Sequence, residues 1–330
     1  MKRRFIAVLA AASVLGLSAC GSGSPSSTGG GTAGATGGTG GSSDLTKVSV
    51  GVIPIVDCAP IYLGDKQGFF KEEGLQLDIQ TATGGAAIVP GVVSGSFDFA
   101  FSNLISVMVA KDKGLDLKFV ANGASTTGEI GKDIGGVVVP AGSSIQSAKD
   151  LAGKTVSVNN LSNIGDTTIK SVVEKDGGDP QSVKFVEVAF PEAPAALANK
   201  QVDAAWILEP FLSKAVAEGG KVVSWNFVEM SPELDIAGYF TKADTIKGKA
   251  ELTQKFTRAM NKSLEYAQQN PQEVRDIVGT YTKIDEAARA KIVLPRYRVE
   301  FNKDAFKTLG DAAASYGTLS KAPNADELLP

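Results

Sequence analysis

Val202-Asp203-Ala204-Ala205-Trp206-Ile207-Leu208-Glu209-Pro210-Phe211 is the stretch on which the reading of this chain turns. Apart from Asp203 at its mouth, Val202 to Leu208 is aliphatic or aromatic, the composition of a buried strand. Pro210 cannot donate to a sheet ladder and biases Glu209 toward extended backbone, so the strand stops sharply. Glu209 is therefore expected to project from the strand end, where an open α/β sheet has its crevice. A solvated acid at a strand end is the plainer reading of the same residues.

Outward from that stretch, strand-like and helix-like segments alternate. Lys47 to Ile53, Leu75 to Gln80, Phe97 to Phe101 and Leu117 to Ala121 read as strands, with helices over Ile61 to Phe70, Ala86 to Ser94 and Leu104 to Lys113 between them. Pro90 lies inside the second of these helices as a kink. A second unit begins at Gly135 to Val139. It continues through strands at Lys154 to Asn159, Val183 to Val188 and Lys221 to Trp225, with helices over Asp166 to Asp176 and Ala193 to Lys200. Ile236 to Thr241 reads as a strand crossing back, and helices are expected over Glu251 to Gln269, Pro271 to Thr280 and Glu286 to Leu294. This order predicts two α/β lobes, each with a mostly parallel sheet flanked by helices, joined by two crossover strands. The expected boundaries are 44–133 with 241–330 for lobe I and 134–240 for lobe II.

The 330 residues are 43% hydrophobic and 21% charged, with a formal charge of -3. Discounting Lys2, Arg3 and Arg4 leaves 30 basic residues against 36 acidic ones, and no basic stripe is present, which argues against a nucleic-acid partner. The chain has no His. That excludes Ser-His-Asp and Cys-His nucleophile activation and His-ligated zinc. Lys, Tyr or paired carboxylates remain as possible proton-transfer groups. Cys20 and Cys58 form no CxxC pair, so no metal site is expected. No cofactor and no catalytic set is expected either.

The N-terminus reads as an address and a tether. Met1 to Arg4 is a basic flank, and Phe5 to Leu17 is an apolar core too short to span a bilayer comfortably. Leu17-Ser18-Ala19-Cys20 resembles a bacterial lipobox, with residues 1–19 as the leader and Cys20 as the lipidated residue. Residues 20–43 then form a Gly, Ser and Thr-rich spacer with a root-mean-square span of about 25 Å. The expected location is the outer face of the cell membrane, with the acyl chains of Cys20 as anchor.

Four stretches, the opening one among them, carry a family likeness. They are Ala59 to Leu63 with Gly68 to Leu75; Ser94 to Ala100; Ser144-Ile145 with Lys149 to Val156; and Val202 to Ala205 with Glu209-Pro210-Phe211. With them the chain resembles the type II periplasmic solute-binding proteins of ABC importers, in the branch of sulfonate, taurine, nitrate and thiamine-pyrimidine binders. The resemblance implies a two-lobed clamp, most simply a monomer, that closes on a small-molecule ligand. It also implies delivery to a membrane permease and its ATPase. The related thiamine-pyrimidine synthases use a Cys-rich motif and a His of their own chain, and this sequence has neither.

Strand C-termini and the loops after them mark the expected crevice. On the first lobe these are Asp57, Cys58, Ala59, Pro60 and Tyr62, then Thr83, Gly84 and Gly85, then Ser102, Asn103, Asn122 and Gly123. On the second they are Asn160, Ser162, Asn163 and Gly165, with Trp206 and Glu209. Gly84-Gly85 and Asn163 to Gly165 each precede a helix, whose free N–H groups favour an anion; ordinary turn or cap chemistry explains the same residues. Tyr62 suits stacking on a ligand or core packing, and Trp206 in mid-strand suits the core. No predicted pocket loop carries an Arg, which disfavours a bidentate carboxylate clamp. Asp57 and Glu209 would repel an anion and accept an amine or ring N–H. An extracytoplasmic enzyme with Asp57 and Glu209 as an acid–base pair, or a sensory module, is the alternative reading.

Overall fold

Alternation builds the first strand: Val48, Val50 and Val52 are fully buried within β1 (Thr46–Val52). In the computed structural model, which describes residues 45–330, the elements then follow in order. The first half holds α1 (Ala59–Gln67), α2 (Phe69–Glu72), β2 (Leu75–Thr81), α3 (Gly85–Ser94), β3 (Phe99–Asn103), α4 (Leu104–Asp112) and β4 (Leu117–Ser125). Next come β5 (Gly135–Val139), β6 (Thr155–Val158), α5 (Ile164–Lys175), β7 (Lys184–Glu187), α6 (Ala193–Ala198), β8 (Ala204–Leu208), α7 (Phe211–Ala217), β9 (Lys221–Ser224) and α8 (Asn226–Met230). The chain closes with β10 (Asp235–Lys242), α9 (Ala243–Gly248), α10 (Ala250–Gln269), α11 (Pro271–Tyr281), α12 (Glu286–Arg289), α13 (Lys303–Ser315) and α14 (Ala325–Leu328). The expected leader, lipidated Cys20 and spacer lie outside the described residues. No helix among the described residues is long and apolar enough to cross a membrane.

Two five-stranded sheets result, ordered β2-β1-β3-β10-β4 and β7-β6-β8-β5-β9. β1 and β2 pair in parallel from Thr46 with Leu75 to Val52 with Thr81. Each sheet is mixed rather than wholly parallel. β10 runs against β3 and β4, and β5 runs against β8 and β9. In both sheets the opposed strand is the one that arrives from the other sheet. The chain passes across between Ser125 and Gly135 and returns between Met230 and Asp235.

Local chemistry explains the element ends. Pro60 sits in the first turn of α1, where its missing N–H has no helical partner to lose. Gly68 closes that helix at φ 83°, its N–H donating to the Asp65 carbonyl. The long α10 lays Phe256 flat on Phe99 of β3, with ring centroids 4.1 Å apart, and so fastens the C-terminal region to the first sheet. Burying such a ring contributes about 2–3 kcal/mol.

Three expectations are corrected here. β4 runs on to Ser125, so Asn122 and Gly123 lie inside a strand and not in a loop after it; the returning β10 supplies the ladder partners. The helix expected to reach Leu294 stops at Arg289, and the Val293 N–H is drawn instead to the Glu209 carboxylate, 3.1 Å away. α13 was not anticipated, although Asn302 caps it and Phe306, Leu309 and Ala313 recur on its buried face.

Candidate functional site

The C-terminal ends of β1 and β3 face those of β6 and β8 across a buried cavity. Asp57, Phe101 and Asn103 line it from the first sheet, and Asn159, Phe190, Trp206 and Phe227 from the second. Its volume is about 20 Å³, room for roughly one water. Ile53, Ile55 and Phe190 also line an adjoining pocket of about 250 Å³, which Thr83 and Glu192 share. A ring-sized solute therefore fits the inner position only if the two walls part or Phe190 swings.

Asp57 stands in the 3₁₀ turn Val56–Cys58 between β1 and α1 and is 1% exposed. Neither carboxyl oxygen has a hydrogen-bond partner among the described residues. Burial pushes its pKa up to about 7. Its own backbone N–H pulls the other way without a formed hydrogen bond, and Asp133 adds a small upward push. No Lys or Arg among the described residues lines the cavity. A buried carboxyl without a cation or donor is costly unless something else supplies one.

Trp206 sits in β8 with its ring edge-on to Phe190 and Phe227, at 5.3 Å and 5.6 Å between centroids. Its indole N–H is buried and has no partner among the described residues. The ring reaches the cavity because α5 begins with little bulk: a Cβ on Gly165 would lie 2.6 Å from it. The cavity thus combines aromatic walls with an unpartnered carboxyl, two Asn side chains and the indole of Trp206.

Polar contacts between the two sides surround it. The Asn163 amide donates to Ser106 Oγ at 3.0 Å, joining α5 to α4. The Ala86 N–H of α3 donates to Asn160 Oδ1 at 3.4 Å. The Val56 N–H donates to the Glu209 carbonyl at 3.1 Å. Asn103 caps α4 through the Ser106 N–H. Asn163 caps α5, with Asp166 returning the favour to the Asn163 N–H at 2.5 Å. The start of α5 is therefore already satisfied by its own side chains.

Other candidate residues stand elsewhere. Cys58 and Ala59 are wholly buried in the core, Pro60 is buried in the first turn of α1, and burial raises the Cys58 thiol well above its usual range. Tyr62 stacks on Tyr281, with centroids 4.1 Å apart. Asn122 donates to the Glu300 carbonyl at 3.0 Å, and Gly123 lets Phe101 pass beside β4. Ser162 is exposed on a turn with φ 49°. Ser102 is fully buried against Gly85.

Glu209 is buried, but its carboxylate is engaged by the chain. The Ser213 O–H and N–H donate to it at 2.7 and 3.0 Å, and the Val293 N–H at 3.1 Å. Burial still raises its pKa. It does not line the cavity. Asn159, Phe101, Phe190 and Phe227 do, and sequence reasoning did not select them. Asn159, at the end of a strand, carried the positional signal; Phe190 and Phe227 carried none.

The fold is that of the periplasmic binding proteins. The chain belongs to the family described as NMT1/THI5 like, whose model matches residues 55–274. It is 26% identical over 232 residues to the formylaminopyrimidine-binding protein of Halalkalibacterium halodurans, covering 69% of this chain and 67% of that protein. It is 24% identical over 225 residues to the 4-amino-5-hydroxymethyl-2-methylpyrimidine phosphate synthase THI5 of Saccharomyces cerevisiae, covering 64% of each. The fold matches the ligand-binding component of an ABC-type import system from Staphylococcus aureus with a TM-score of 0.75 at 14% identity, over 87% of this chain and 97% of that one.

Proposed function

We propose that this protein is the extracytoplasmic solute-binding component of an ABC importer, anchored through Cys20, and that it captures a small organic nitrogen solute. The body closes as two lobes, 44–133 with 241–330 and 134–240, and acts as a monomer. The observation that carries the reading is the buried Asp57 carboxyl, unpartnered among the described residues, in an aromatic-walled cavity between two sheets. A ligand N–H satisfies the carboxyl, the aromatic rings take the two faces of a flat heterocycle, and the Trp206 N–H meets a ring nitrogen or carbonyl. A pyrimidine bearing an amino group has these features, and the relative from Halalkalibacterium is named for such a ligand. A sulfonate or taurine-like solute matches the carboxyl less well. Binding to the closed form draws the population toward closure, which presents both lobes to the permease.

An enzyme on the same fold, or a sensory module, is the second reading, and the yeast relative is named a synthase. The absence of His and the engagement of Glu209 by Ser213 and Val293 weigh against an Asp57–Glu209 acid–base pair. The test is a thermal-shift screen of the protein with aminopyrimidines, sulfonates, taurine, nitrate and amino acids. Excess ligand stabilises by mass action, by about 2.7 kcal/mol at a hundredfold over Kd. A shift with aminopyrimidines and no product on prolonged incubation supports the binder; turnover supports the enzyme. A shift with sulfonates alone sinks the N–H argument.

A further inference from the structure

The start of α3 is a place where an anionic group would ordinarily settle. This ten-residue helix opens at Gly84-Gly85-Ala86 with its N–H groups toward the second sheet. Beside it lies Ser102, wholly buried, whose hydroxyl has no partner among the described residues and would stand 2.0 Å from a Cβ on Gly85. Here that place is occupied. The carboxamide oxygen of Asn160 takes the Ala86 N–H at 3.4 Å, and it comes so near that a Cβ on Gly84 would stand 2.3 Å from it. Gly84 is at φ -178°, which any residue adopts, so the need for glycine there is the approach of Asn160 and not backbone conformation.

We infer that Asn160 is a specificity-determining residue: its side-chain oxygen fills the anion position at the start of α3 and excludes solutes that carry a negative group. The oxygen supplies the partial negative charge that the helix end favours, and the Ala86 N–H has its acceptor without an ion. The rest of the cleft acts in the same direction. No Lys or Arg among the described residues lines the cavity, and Asp57 when ionised repels a negative charge. This inference rests on the cleft being the solute site and narrows its ligands to neutral or cationic ones.

The experiment compares the wild-type protein with Asn160→Ala and Asn160→Ser by calorimetry and Trp fluorescence, using sulfate, nitrate, methanesulfonate and 4-aminopyrimidine as probes. Thermal melting confirms that each variant is folded. The expected result is no saturable anion binding by the wild type and at least about a tenfold gain for a folded variant. Ser102→Ala in the variant background should abolish that gain, which locates the anion at α3. Anion binding by the wild type as tight as by the variants overturns the inference. So does the lack of a gain in every folded variant, or a gain that Ser102→Ala leaves intact. Failure of the wild type to bind 4-aminopyrimidine or any other neutral heterocycle counts against the solute reading alone, because the anion comparison is read separately.

Discussion

Asp57 and Trp206 line one cavity from opposite sheets, and neither the Asp57 carboxyl nor the buried Trp206 indole N–H has a hydrogen-bond partner among the described residues. An unmet buried polar group costs about 1–3 kcal/mol. One solute with an N–H on one edge and an acceptor on the other relieves both costs, and can do so only where the two sheets meet. The proposed solute site would couple ligand capture to closure through these two groups.

Replacing the acceptor tests that coupling. Asp57→Asn should weaken an amino-heterocycle by roughly tenfold to a hundredfold, the worth of a hydrogen bond to a charged group. Calorimetry at pH 8 measures it. Unchanged affinity would remove Asp57 from the site.

The same residue sets opposite pH trends for stability and for binding. Asp57 is raised from an ordinary 3.8 to about 7 in the folded protein, so between those values the native state holds a proton that the unfolded chain has lost. Stability is full below about pH 4 and declines as pH rises toward 7, by a total on the order of 4 kcal/mol. Urea melts of wild type and Asp57→Asn should coincide near pH 4 and diverge by pH 8, with the variant the more stable. Affinity for an N–H ligand should instead rise as pH passes through 7, because ligand binds the ionised carboxylate.

Trp206→Phe keeps an aromatic side chain but removes the donor together with part of the buried indole. We expect affinity to fall by up to about tenfold and stability by about 1–3 kcal/mol, the cost of the cavity left in the core. Gly165→Ala acts on the same ring from behind: the added methyl meets it at 2.6 Å and should cost about 1–3 kcal/mol of stability. Equal effects of the two variants on affinity and on melting would refute a ligand role for the N–H.

Glu209→Ala should behave as a stability variant. It strips the Ser213 and Val293 N–H groups of their acceptor and should cost about 1–3 kcal/mol, while affinity in the folded protein stays near wild type. A large affinity loss without destabilisation would place Glu209 back at the ligand.

Ser106→Ala removes the contact with Asn163 that ties α4 to α5. It should favour the open form by about 1 kcal/mol and lower affinity roughly fivefold. Small-angle scattering should show a larger radius of gyration without ligand and a normal one with it. An unchanged profile in both conditions would remove this pair from closure.

Much of this was legible in the residues. Alternation at Val48 to Val52 and the apolar run at Ala204 to Leu208 mark strands wherever they are met, because burial on one or both faces imposes the pattern locally. Asp57 and Asn103 were selected by the rule that crevices lie at strand ends and line the cavity, whereas Trp206 in mid-strand read as a core residue. Phe190 and Phe227 were not selected, since they come from the loop before α6 and from α8, and only packing against β8 brings their rings to Trp206.

The order of residues alone thus determined the two alternating α/β runs, the crossing back at Ile236 and an acid on each side of the crevice, since each depends on neighbours within a few positions. Only the tertiary structure decided what those acids do. Asp57 lies where no donor reaches it among the described residues, while Glu209 meets Ser213 on the next turn and Val293 from 84 positions further on. Asn160 likewise reads as a turn residue until α3, 74 positions earlier, is packed against it. A side chain's partners across such separations are set by how sheets and helices dock, and no local pattern encodes them.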